Sequence, residues 1–139
     1  MRLPPISSSR KRSSAERNQV LKDWPRMAQE LNTLVSRLRG RQSDVMRAFS
    51  QQAQAALKPT TLDTKTKELI ALAVSVAIRC DPCITFHAKA AVAAGATDDE
   101  IGDAMGVAIY MGAGPSVMYA AQALEAVQQW RTGDAGDKD

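Results

Sequence analysis

Between Leu69 and Ala94 two apolar segments are separated by a single Asp81-Pro82 step, and that step limits what the chain can become. In the first segment Leu69, Ile70, Leu72, Ala73, Val74, Val76, Ala77 and Ile78 are apolar on nearly every side. A helix with that pattern must be buried by other helices. Asp63 is placed to cap it, and the spacing predicts a helix through Arg79. Proline cannot continue a helix but suits the first turn of a new one, with Asp81 as the expected cap. The second helix then runs through Phe86, His87, Ala90, Ala91 and Ala94, and Gly95 closes it.

The rest of the chain supplies partners for this pair. Met27, Leu31, Leu34, Val35 and Leu38 recur at helical spacing after Pro25, with Gly40 as the expected stop. Ser43 is placed to cap a helix whose apolar face is Val45, Met46, Phe49, Ala53, Ala56 and Leu57, ending before Pro59. Thr97 and Glu100 have capping-box spacing, and Gly112-Ala113-Gly114-Pro115 predicts a break before a last helix through Trp130. Tyr110 and Tyr119 are expected in the core. With 139 residues and only 4% aromatics, the chain reads as one all-α domain of closely approaching helices. Its bounds are expected at residues 19–131, between a basic tail (1–18) and a flexible Gly/Asp-rich tail (132–139).

The formal charge of +3 is unevenly distributed. Ten of the 18 Lys and Arg lie at or before Arg41, against three of the 15 acids. Ser7 to Ser14, with Arg10, Lys11 and Arg12 among them, have no apolar periodicity and read as a solvated tail. An Arg/Ser-rich transit peptide is a second reading of this tail, and nucleic-acid contact a third. No aromatics interleave with the basic residues to stack on bases. Arg37, Arg39 and Arg41 read as a solvated face. No apolar run has the length of a membrane span. Two cysteines three positions apart suit catalysis or metal binding rather than a disulfide framework, so the expected setting is cytoplasmic.

Both cysteines and the only histidine fall within eight residues at the start of the second helix. Cys83 lies in the first turn, where unpaired N–H groups and the helix dipole favour a thiolate and should lower its pKa. His87 is four residues on, on the same face, and can share the thiol proton. Cys80 lies just outside the helix as a possible resolving thiol. Glu68 is left open by spacing alone. An antiparallel pair puts it about 18 Å along the axis from Cys80, so it joins the site through a neighbouring subunit or a different helix crossing, or else it favours the helix start and pairs with Lys65 or Lys67. Three classes of function compete: a redox enzyme, a zinc-stabilised helical module with Cys80, Cys83 and His87 as ligands, and a redox sensor whose disulfide switches assembly without turnover.

The array Glu68-x11-Cys80-x2-Cys83-x3-His87, with the Gly95-Ala96-Thr97 turn and the YMGAGPSVMYA segment, resembles the AhpD-like alkylhydroperoxidases of the carboxymuconolactone decarboxylase superfamily. The resemblance covers roughly Leu62 to Trp130. It implies an AhpD-like helical fold of about five to six helices, assembled as a trimer or hexamer. It also implies a thiol peroxidase without a cofactor that reduces hydroperoxides. Cys83 would become the sulfenic acid, Cys80 would resolve it, and Glu68 and His87 would form a proton relay. An external dithiol or a lipoyl-type protein would re-reduce the pair. Decarboxylase members lack the cysteine pair. In the longer AhpD proteins a histidine precedes the second cysteine, a position held here by Pro82.

Overall fold

The computed structural model describes residues 20–133, and these form five helices: α1 (Trp24–Arg41), α2 (Ser43–Leu57), α3 (Thr64–Ala77), α4 (Asp81–Ala93) and α5 (Asp98–Gly133). The all-α expectation holds. The tail at 1–18 lies outside the described residues, as does most of that at 132–139. Helices α3, α4 and α5 pack mutually around the core, and α1 lies across α4 and α5. Fully enclosed Trp24, Leu72, Val76, Ile84, Ala88, Ala91 and Ile101 centre that core. The alanines let the helix backbones approach closely, and each enclosed large side chain contributes about 1.5–3 kcal/mol. No helix among the described residues is long and apolar enough to cross a membrane.

The helix ends differ from expectation in instructive ways. Asp63 caps α3 through Thr66 N–H at 2.7 Å, as expected. Hydrogen bonds from Thr66, side chain first and then backbone, hold the Asp63 carboxyl below its ordinary value. Helix α3 stops at Ala77 rather than Arg79, because Ile78 and Arg79 make the reversal into α4 and Arg79 takes a left-handed φ of 61°. Helix α1 passes through Gly40 to Arg41, and Gln42, not Ser43, holds the cap position of α2. Gly95 closes the α4 end at φ 84°. The Thr97–Glu100 box is reciprocal, with Thr97 N–H reaching Glu100 Oε2 at 2.9 Å and Glu100 N–H reaching Thr97 Oγ1 at 3.1 Å. Lys65, at 2.7 Å, does most to hold the Glu100 carboxyl below its ordinary value, followed by the Thr97 N–H.

The expected break at Gly112–Pro115 is a kink inside α5, where Ala113 adopts φ 60° and ψ −158°. The segment beyond it runs to Gly133, past the expected end. One core assignment fails. Tyr110 is 84% exposed, although Tyr119 does pack against the core. Helix α2 buries no residue, and Val45 and Phe49 are more than 60% exposed. The α2 periodicity marks an amphipathic face correctly, but that face is not buried against this chain's own core.

Candidate active site

Only three residues, Ile78 to Cys80, separate α3 from α4, and this brevity positions the cysteines. Cys80 N–H donates to Ser75 O at 3.0 Å, and Ile84 N–H to Cys80 O at 2.9 Å. Cys80 has extended backbone (φ −107°, ψ 96°), so it takes the cap position expected for Asp81. Its sulfur accepts from Cys83 N–H at 3.3 Å. Asp81 already has its place inside the helix, and its carboxylate turns sideways to Lys22 instead. Cys80 and Cys83 are joined in a disulfide with Cα atoms 5.2 Å apart. Both are half-buried beside exposed Pro82, so the bond lies at the protein's edge rather than in its core.

His87 follows Cys83 by one turn of α4. Its Nδ1 lies 2.7 Å from Glu68 Oε2 on α3. The Glu68 side chain is 7% exposed and that of His87 29%. A carboxylate this buried is costly without a partner, and the histidine supplies one. Helices α3 and α4 do run antiparallel, so Glu68 meets the helix that bears Cys83 through His87. The alternative pairings of Glu68 are absent, since Lys65 bonds Glu100 and Lys67 bonds Lys58 O at 2.6 Å and Thr60 Oγ1 at 3.1 Å. Among the described residues no three His, Cys, Asp or Glu side chains are gathered as a metal site.

Other residues fix the rotation of α4 and had no local signal in the sequence. Thr85, fully buried, donates to Trp24 O at 2.9 Å and accepts from Trp130 Nε1 at 3.2 Å. Its hydroxyl thereby ties α4 to both α1 and the end of α5. A lone threonine among apolar residues gives no hint of partners 61 and 45 positions away. Trp24 was equally silent, because it precedes the periodic stretch of α1.

The pattern of the carboxymuconolactone decarboxylase family matches residues 43–126. An uncharacterized protein of Cupriavidus necator is 37% identical over 95 residues, which cover 68% of this chain and 84% of that protein. In structure the chain is similar to a carboxymuconolactone decarboxylase family protein of Legionella pneumophila (TM-score 0.75, 44% identity), with 77% of this chain and 96% of that one covered. It is also similar to a family protein of Thermotoga maritima described in connection with an antioxidative response (TM-score 0.68, 30% identity). That match covers 85% of this chain and 97% of the other.

Proposed function

The chain belongs to the carboxymuconolactone decarboxylase family, and from that premise and the site geometry we propose that it is a thiol-dependent peroxidase. One observation carries the reading: a bonded Cys80–Cys83 pair at a helix start, with a His87–Glu68 pair one turn along. The antioxidative connection of the Thermotoga maritima protein agrees with it.

In the reduced enzyme the first-turn N–H groups of α4 favour Cys83 as thiolate. His87 takes the thiol proton. With Nδ1–H donated to ionised Glu68, the other ring nitrogen carries the lone pair that a base needs. The Cys83 sulfur attacks the terminal oxygen of a hydroperoxide, the O–O bond breaks, and the alkoxide leaves as alcohol after taking a proton. Cys83 is now a sulfenic acid. The Cys80 thiol attacks that sulfur, water leaves, and the disulfide forms. An external dithiol or lipoyl-type protein then reduces it through a mixed disulfide. Overall, one hydroperoxide and two thiols give one alcohol, one water and one disulfide.

Assembly as a trimer or hexamer belongs to the same proposal. The exposed apolar residues of α1 and α2, and the groove of Leu69, Ile70, Ala73, Val74, Ala104 and Val107 between α3 and α5, are the faces it would cover.

Peroxide consumption with dithiothreitol as reductant tests the activity. Turnover is expected in the wild type and lost in Cys83→Ser. Equal turnover in that variant would overturn the assignment.

A further inference from the structure

Asp81 is the first of the two residues between the cysteines, and it is not left as a free surface acid. One carboxylate oxygen pairs with Lys22 Nζ, and the other is buried with no hydrogen-bond partner among the described residues. Lys22 stands 59 positions earlier in the chain. Its ammonium also donates to Gln122 Oε1 at 2.6 Å and lies 5.3 Å from the centre of the Trp24 ring. The backbone that carries it is held on both sides. Glu125 accepts from Leu21 N–H at 2.7 Å and from Lys22 N–H at 3.3 Å, and Gln129 Nε2 donates to Lys22 O at 2.7 Å. Several side chains of α5 thus fix the Leu21–Lys22 backbone, and the Lys22 ammonium meets the dipeptide between the two sulfurs.

We propose that Lys22 is a positioning residue that sets the redox balance of the Cys80–Cys83 couple by cancelling the charge of Asp81. The inference rests on the reading that this pair cycles between dithiol and disulfide. Taking up two electrons and one proton, the disulfide becomes one thiol and one thiolate. A thiolate at Cys83 draws on the same helix start as the Asp81 carboxylate and is repelled by it. With Lys22 in place the carboxylate is neutralised and the reduced form is favoured. Without Lys22 the anion opposes the thiolate, and the equilibrium moves toward the disulfide.

The test equilibrates the full-length protein in buffers of reduced and oxidised dithiothreitol and counts free thiols by alkylation and mass. Lys22→Met is expected to favour the disulfide by about tenfold, equivalent to a potential lower by ~30 mV. Asp81→Asn is expected to move it the opposite way, because an uncompensated ammonium then faces the thiolate. The double variant should return near the wild type, and Lys22→Arg should stay there. A merely structural role for Lys22 would lower the melting temperature without this reversal of sign. Equal potentials in Lys22→Met and the wild type, or shifts of the same sign in Lys22→Met and Asp81→Asn, would overturn the proposal. The measurement uses no peroxide. The stated shifts in a protein without peroxide turnover would support the role of Lys22 while removing hydroperoxide as substrate.

Discussion

Glu68 Oε2 and His87 Nδ1 stand 2.7 Å apart across the α3–α4 interface, the carboxylate nearly enclosed and the imidazole only partly so. The enclosed acid holds the ring, and the ring's other edge is left for chemistry. Glu68→Gln keeps the shape and a hydrogen bond while removing the carboxylate that orients the ring. Peroxide turnover should fall by about tenfold, and by about 10²-fold in His87→Ala, with circular dichroism unchanged in both. Steady-state kcat/KM with dithiothreitol measures it, and a Glu68→Gln enzyme as fast as the wild type would remove Glu68 from the relay.

Trp24 joins α1 to the redox helix, and its Nε1 also donates to Glu125 at 3.0 Å. Trp24→Ala should cost about 3–5 kcal/mol, as for other enclosed large side chains. Thr85→Val fills the same space but leaves Trp24 O and Trp130 Nε1 without their partner, for about 1–3 kcal/mol. Urea unfolding of the two variants decides both values.

The kink in α5 gives opposite expectations at neighbouring positions. A Cβ on Gly112 would collide with Ser116 Oγ and stand 2.9 Å from Ser116 Cβ, with the α3 backbone at Ala77 in contact at 3.4 Å. Gly112→Ala should therefore destabilise by about 1–3 kcal/mol. Ala113 holds a backbone conformation that is nearly restricted to glycine. Ala113→Gly relieves that strain and should stabilise by about 1 kcal/mol. Thermal melts of the two variants should shift in opposite directions.

Acid should weaken the α3 and α5 starts. The Asp63 and Glu100 carboxyls lie below their ordinary values in the folded protein, Asp63 through Thr66 and Glu100 through Lys65. The stability they contribute is full above the ordinary carboxylate range and lost as pH falls through their lowered values. Lys65 is shifted upward by Glu100, so its contribution persists through neutral pH and disappears only above the ordinary lysine range. Melting temperature measured from pH 7 downward should fall less steeply in Asp63→Asn and Glu100→Gln than in the wild type.

Legibility followed sequence distance. The Asp63 cap, the Thr97–Glu100 box and the Gly95 stop depend on residues within one or two turns and appear where capping chemistry places them, and the α3 and α4 pair is present with its ends shifted at the reversal. Cys80, Cys83 and His87 share one short stretch, so their grouping was equally plain. Glu68 was not, since nothing in α3 alone says which residue of α4 lies opposite it. Lys22, Thr85 and Trp24 were hidden for the same reason, being joined only by the tertiary packing of α1, α4 and α5. The exposure of α2 shows the other limit. An amphipathic pattern says that a face is to be covered, but not by which surface.

Cys80 closes the start of α4 with the same sulfur that forms the disulfide. Reduction changes the acceptor of the Cys83 N–H from a disulfide sulfur to a thiol or thiolate, so the security of the first turn of α4 is linked to the oxidation state. By reciprocity, whatever steadies the Asp81–Thr85 turn in one state biases the sulfurs toward that state. Amide exchange along this turn, compared between the oxidised and reduced protein, would report the coupling directly. Helix fraying and sulfur chemistry are here two measures of a single equilibrium.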